Sequence, residues 1–291
     1  SADTASLAGQ IQTTTATGDI TIAADTAATA INLGVGAAAG LALTDAELNT
    51  LEANNVRIGT VAGAPYAGAT TGAITFVGAF AADAAFATDV FELRTTGAVA
   101  DSANVLDFST STSDVVVRAG TTVDLDTAAH DFNTVSISAG TTVTLNDTNG
   151  LTVGTVDTQN GIATGGGQVD VTAGGALVVA HQVTNTGANN INLSGGGIDF
   201  TTANSDVDAV SGNISVQATA GGDAITMVDT SVITTTNGAI DIDADADITL
   251  GSIVATNNAT ATAINIDSAN GAIIDGGDTD VDVVANTAGA L

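Results

Sequence analysis

The feature that most constrains this chain is a three-residue unit, apolar-polar-apolar, that recurs along its length. It stands at Ile20-Thr21-Ile22, Ile31-Asn32-Leu33, Ile74-Thr75-Phe76, Val123-Asp124-Leu125, Val135-Ser136-Ile137 and Val143-Thr144-Leu145. It continues at Leu151-Thr152-Val153, Val169-Asp170-Val171, Ile191-Asn192-Leu193, Ile214-Ser215-Val216, Ile240-Asp241-Ile242, Ile248-Thr249-Leu250, Ile264-Asn265-Ile266 and Val281-Asp282-Val283. Side chains alternate across a strand, so each β-branched unit predicts a short strand with one buried face. Gly, Asn, Asp and Thr clusters separate the units. The pairs Asn149-Gly150, Asn160-Gly161, Asn237-Gly238 and Asn270-Gly271 mark tight turns.

A second, longer period narrows the choice of fold. From Val169 through Ile191, Ile214 and Ile240 to Ile264 the steps run 22 to 26 residues, a length typical of repeat architectures. Ser211-Gly-Asn-Ile-Ser-Val, Asn237-Gly-Ala-Ile-Asp-Ile and Ala263-Ile-Asn-Ile-Asp read as successive versions of one coil. Two or three short strands per coil, without helical crossovers, describe an all-β fold: a parallel β-helix, or β-solenoid. Antiparallel hairpins give the same local pattern and would make a sandwich, but the regular repeat favours the solenoid. At about 4.8 Å per coil, roughly a dozen coils make a rod on the order of 60 Å long.

Composition agrees with thin, regular layers. Of 291 residues 44% are hydrophobic, enough for a core, but only 3% are aromatic and one is Met, so Val, Ile, Leu and Ala must build it. A single Pro leaves the ladders uninterrupted. One segment departs from the pattern. Thr44 with Glu47 three residues on forms a capping box ahead of Leu48 and Leu51, predicting a short inserted helix near residues 44–53. Phe76, Phe80, Phe86, Phe91 and Phe108 also fall early, alongside Ala-rich excursions such as Gly78 to Thr88. Residues 1–108 are therefore expected to be a less regular solenoid part and 109–291 the regular repeats, within one continuous rod.

Charge excludes several classes of function. Three arginines, no lysine and 32 acidic residues give a formal charge of −29, which repels nucleic acid and anionic membrane surfaces alike. No apolar run approaches the roughly 20 residues of a membrane-spanning helix, and Ser1 opens no signal-peptide pattern. Without Cys there is no disulfide, thiolate nucleophile or Cys-ligated zinc.

Leu43-Thr-Asp-Ala-Glu-Leu-Asn-Thr-Leu to Val56-Arg57-Ile58-Gly59 resembles a segment frequent in the filamentous-haemagglutinin-type repeat regions of large bacterial surface and secreted proteins. So do Gly150-Leu-Thr-Val-Gly-Thr-Val, Gly161-Ile-Ala-Thr-Gly-Gly-Gly-Gln-Val-Asp-Val and Asn237-Gly-Ala-Ile-Asp-Ile-Asp-Ala. The resemblance covers nearly the whole chain, and its motifs are structural. It implies a right-handed parallel β-helix, export to the cell surface or extracellular matrix, and roles in adhesion, biofilm matrix or filament building. The secretion domain, anchor and capping module that such proteins carry are not recognisable here. The chain is accordingly expected to be a fragment, a processed piece or a subunit that caps itself by polymerising.

Candidate sites are sparse. Asp241, Asp243, Asp245 and Asp247 alternate with apolar residues, which would set all four carboxylates on a solvent face; Asp275, Asp278, Asp280 and Asp282 form a second cluster that adjacent coils would stack on the first. Oxygen clusters of this density are calcium candidates, against the simpler reading of a solvated acidic face. Gly195-Gly196-Gly197-Ile198-Asp199 only echoes the nonapeptide of calcium-binding β-rolls, and the glycine triplets 165–167 and 195–197 read as turns. His130 and His181 lack converging partners in sequence and read as surface or turn residues. Arg57, Arg94 and Arg118 most simply neutralise nearby carboxylates. The sequons at Asn146, Asn192, Asn213 and Asn258 read as chance in an Asn/Thr-rich chain, and Asn189, Asn190 and Asn192 as turn-satisfying groups.

Three functions follow as expectations. The first is a non-enzymatic extracellular rod, structural or adhesive, that self-associates head-to-tail through exposed coil edges and meets cell-surface or glycan targets. The second is a calcium-dependent surface-layer or lattice subunit. The third, a polysaccharide lyase or hydrolase, is disfavoured by the charge and by a lone Tyr66 with no Trp for sugar stacking.

Overall fold

The computed structural model describes residues 11–13, 18–36, 38–61, 70–83, 86, 89–218, 221–256, 263–277 and 279–286. The chain is an all-β parallel β-solenoid of about eight turns with almost no helix. Strands pair with their counterparts one coil away rather than with sequence neighbours, which removes the sandwich alternative. The described chain forms two compact units, Ser1–Gly140 with Leu145–Asp147 and Val156–Gln159, and Thr141–Thr144 with Thr148–Thr155 and Asn160–Leu291.

In the second unit three ladders run side by side. One joins Val169–Ala173, Ile191–Gly195, Ile214–Ala218, Ile240–Ala244 and Ile264–Ser268. The next joins Leu151–Val153, Leu177–Val179, Ile198–Phe200, Ile225–Met227, Ile248–Leu250 and Ile273–Asp275. The third joins Ile162–Thr164, Val183–Asn185, Val207–Ala209, Val232–Thr235, Ser252–Thr256 and Val283–Asn286. Each coil thus has three short strands and three corners. Partners Val169, Ile191, Ile214, Ile240 and Ile264 lie in register, reproducing the 22-to-26-residue period.

The first unit uses longer coils. Its ladders join Asp19–Ile22, Asn55–Ile58, Val90–Thr95, Asp114–Ala119 and Thr134–Ala139, and Leu41–Leu43, Ile31–Leu33, Ile74–Phe76, Val99–Ala100 and Val123–His130. Register partners Ile20 and Val56 are 36 residues apart and Ile31 and Ile74 are 43 apart. Such excursions explain why about eight turns form rather than a dozen. They also place five phenylalanines in one column: Phe80, Phe86, Phe91, Phe108 and Phe132, with centroid spacings of 5.3 to 6.5 Å. Edge-to-face pairs of this kind add about 0.5–1.5 kcal/mol each beyond their burial.

The short helix is Asp45–Leu48, with the Thr44–Glu47 capping box formed in both directions. It stops well before residue 53 because Leu51–Glu52 is drawn into parallel pairing with Ile11–Gln12. Every triplet read from the sequence lies in a strand except Val281-Asp282-Val283. That strand starts at Val283, and Val281 is 72% exposed.

Corners are closed by side chains and by contact between backbones. Asn185 sits in register with Thr164 and Ala209; its amide donates to the carbonyls of Gly167 and Asn189 and its Oδ1 accepts from Gly187 N. Thr235 Oγ1 likewise donates to Gly212 O and accepts from Gly238 N. Among the described residues no buried side-chain nitrogen or oxygen lacks a partner.

Candidate functional site

Strand alternation in Val90–Thr95 turns Phe91 and Leu93 into the core and sends Glu92 to the opposite face, yet Glu92 is wholly buried. Register explains this. Glu92 lies opposite Arg57 on one neighbouring strand and Val116 on the other, and Arg94 lies opposite Arg118. All three cations of the sequence therefore converge on one carboxylate. Oε1 accepts from Arg94 Nε at 2.7 Å and from Arg118 Nη1 at 2.7 Å, and Arg57 Nε closes on Oε2. Arg118 also donates from Nη2 to the carbonyl of Asp157 at 3.0 Å, at the tip of a turn where Asp157 and Thr158 have positive φ. Burial works against the Arg57 charge, but the hydrogen bond and charge of Glu92, with Asp19 and Asp157, hold its guanidinium above the usual value. A shallow groove of about 250 Å³ opens beside Arg118, lined also by Val61, Thr95, Thr96, Ala119, Gly120 and Ser138.

The hub gathers the arginines more tightly than the sequence suggested. They neutralise a nearby carboxylate, as expected, but all three share Glu92. A signal was present: Arg94 and Arg118 are one coil length apart, so a common register would stack them.

His130 corrects the expectation of a surface histidine, for it is fully buried at the end of Val123–His130 with its ring 5.3 Å from that of Phe132. Nδ1 accepts from Leu106 N at 3.0 Å, so the neutral ring carries its proton on Nε2, which donates to Asp101 Oδ2 at 3.0 Å. Asp101 further accepts from Ala103 N at 3.0 Å, Thr127 N at 3.1 Å and the Thr127 hydroxyl. Burial raises the Asp101 value, but bonds from Thr127 and Ala103 and the nearby His130 carry it below the ordinary range; burial lowers that of His130, against Asp101. Both imidazole nitrogens are committed, so the ring has no free position from which to activate a hydroxyl. His181 is half-buried and its Nδ1 accepts from Gln182 N.

The acidic clusters do not form the single face expected of them. Asp241 and Asp243 are on the strand Ile240–Ala244, but the chain turns immediately after it. Asp245 is a corner group accepting from Gly222 N and Asn270 Nδ2, and Asp247 accepts from Ala272 N at 2.8 Å. Asp275 belongs to a different ladder, in register with Leu250, and caps Gly277 N. Asp278 lies outside the described residues, as do Tyr66 and Asn258, while Asp280 is exposed on the segment that precedes Val283–Asn286. Among the described residues the two clusters therefore do not stack on one another. Among the described residues no three His, Cys, Asp or Glu side chains are placed to hold a metal ion.

Three outward carboxylates instead meet an asparagine amide on the next coil. Asn55 faces and bonds Asp19, Asn192 bonds Asp170, and Asn265 bonds Asp241. The other asparagines serve turns as expected: Asn189 donates to Gly166 O and Asn190 accepts from Asn213 N.

What these sites define is a parallel β-solenoid stabilised by coil-to-coil polar pairing and one buried ionic hub. No family model, curated protein or solved structure matches the chain. The filamentous-haemagglutinin resemblance accordingly stands on its motifs and on a fold consistent with a β-helical repeat region.

Proposed function

We propose that the chain is a non-enzymatic structural rod that acts outside the cell and associates through its coil edges. The observation that carries this is the parallel, in-register stacking of coils, in which each strand pairs with its counterpart one coil away and so offers the same template to a further rung. Ile264–Ser268, Ile273–Asp275 and Val283–Asn286 each pair on one side only among the described residues. Here Ile273 is 52% exposed and Ile274, Val281, Val283 and Val284 are exposed with it. Unpaired strand edges backed by apolar side chains are templates for a further rung. A second copy adding head-to-tail supplies one and makes a filament. Secretion, adhesion and glycan or cell-surface targets belong to this reading through the family resemblance.

Electron microscopy and light scattering across a concentration series test it. Fibres that lengthen with concentration, and that Ile274→Asp with Val284→Asp abolish while monomeric circular dichroism is kept, support the rod. A monodisperse single copy at high concentration, with and without calcium, overturns it. The lattice-subunit reading differs in needing metal-bridged contacts. Assembly lost on chelation and restored by Ca²⁺ but not Mg²⁺ would favour it. The like-charged pair Asp243 and Asp267 is the observation on its side, though two carboxylates fall short of the six to eight oxygens calcium takes.

A further inference from the structure

Four Asn-Gly pairs turn the chain between strands, and the fold accounts for the glycine in only three of them. At Gly161 φ is +54° and a Cβ would lie 1.9 Å from Gln182 O. At Gly238 it would lie 1.9 Å from Gly212 O, and at Gly271 2.4 Å from the carbonyl carbon of Ala246. Coils approach too closely at these corners for any side chain. Gly150 is different: a Cβ there would meet nothing nearer than Ala176 O at 3.4 Å, an ordinary contact.

The amides differ in the same way. Gly161 N donates to Gly154 O at 2.8 Å, Gly238 N to Thr235 Oγ1 at 3.0 Å and Gly271 N to Ser268 Oγ at 3.1 Å. Gly150 N has no such partner among the described residues, while Leu151 N beyond it takes the ladder bond to Ala176 O. Thr148, Asn149 and Gly150 are all exposed.

From this juxtaposition we infer that Asn149-Gly150 is a self-modification site, the one Asn-Gly pair of the folded chain that deamidates readily. The Gly150 amide nitrogen, losing its proton to water, attacks Asn149 Cγ. The new N–Cγ bond forms as the Cγ–Nδ2 bond breaks, and the nitrogen leaves as ammonia. Water then opens the succinimide. Cleavage of the bond to Cγ leaves aspartate, and cleavage at the former main-chain carbonyl leaves isoaspartate, with the backbone rerouted through the side chain. No oxidant or catalyst is required. At the other three pairs the nucleophile must first give up its hydrogen bond, a handicap of roughly tenfold in rate for one net bond. The product adds a negative charge to an acidic chain. In its isoaspartyl form it also displaces the Asn149 carbonyl, which accepts from Gly175 N at 2.6 Å across the coil.

The test is peptide mapping by mass spectrometry of the native chain aged at mildly alkaline pH, with isoaspartate assayed by enzymatic methylation. The amide-to-acid mass change should appear first at Asn149, roughly tenfold ahead of Asn160, Asn237 and Asn270. In urea the four rates should converge. Gly150→Ala, which the fold accommodates, should suppress the change while leaving circular dichroism and melting unaltered. Equal native rates at the four sites, a native chain that stays unmodified at Asn149 while the others convert, or a Gly150→Ala chain that ages like the parent would each overturn the inference.

Discussion

Asp243 and Asp267 stand directly opposite one another on adjacent strands of one ladder, carboxylate facing carboxylate, two residues along from the Asp241–Asn265 pair, where an amide donor intervenes at 2.8 Å. The contrast shows how so acidic a chain tolerates parallel stacking. Identical charges in register repel; in the same ladder Asp170 faces Asn192, and Asp241 faces Ser215 and Asn265. At Asp243 the repulsion is left in place. Burial, then the charges of Asp241 and Asp267, pushes its carboxyl above the usual range, against a hydrogen bond from Gln217.

Asp267→Asn should therefore stabilise the protein, by about 0.5 kcal/mol on the scale of cross-strand pairs, and by less as salt is added. A raised carboxyl value means the folded state binds the proton more readily than the unfolded one. This pair's contribution to stability accordingly improves as pH falls through the folded value, and the variant should lose the part of that improvement due to the Asp267 charge. Urea titrations at neutral and mildly acidic pH measure both effects. An unchanged or lowered midpoint in the variant would refute the assignment.

Glu92→Gln should cost about 3–5 kcal/mol, since it strands three guanidinium groups around a neutral amide in a buried position. The loss should persist at high salt, because buried pairs are poorly screened. A change below about 1 kcal/mol would show that solvent reaches the hub well enough to take over the role of the carboxylate.

The buried imidazole gives the opposite pH dependence to the aspartate pair. With its value held below 6.5 in the folded chain, His130 stays neutral while an unfolded histidine takes up a proton. The unfolded state binds more protons, so stability falls as pH drops below about 6.5 and levels off once the folded value is passed. Asp101, lowered in the fold, adds its own loss at still lower pH. His130→Gln should flatten the first limb. Ring resonances that titrate at the ordinary position, with no change at the Leu106 amide, would contradict the tautomer read from the hydrogen bonds.

Two glycines separate backbone crowding from chain entropy. Gly238→Ala should destabilise the protein because its Cβ would enter Gly212 O, whereas at Gly221 an added Cβ meets nothing within 4 Å. Gly221→Ala should be neutral or stabilising by up to about 1 kcal/mol, through the unfolded state. Equal melting temperatures for the two variants would argue against close coil contact at residue 238.

The strands were legible because period-two alternation of branched apolar residues admits few other structures, and the coil step because register partners share sequence spacing in Val169–Ile264. Three things were not. Alternation in Asp241–Asp247 runs past the point where the strand ends, since nothing local announces that Ala244 is the last residue with a partner on each side. Glu92 and its arginines are brought together by coils of unequal length, 35 residues from Val56 to Phe91 and 24 from Phe91 to Val115, which only the register reveals. His130 finds Asp101 across such a coil as well. Local pattern thus gave the rungs, while the chemistry between rungs depended on excursions of irregular size.

The pairing of Asp19, Asp170 and Asp241 with an asparagine on the following strand has a consequence for how such a chain can change length. A whole coil copied from the 22-to-26-residue stretch brings its own donors and acceptors, and both new seams resemble old ones. A single inserted residue within a strand instead turns its aspartates inward and its isoleucines to water. Growth by duplication of entire segments is therefore open to this molecule, whereas drift by small insertions is confined to its corners.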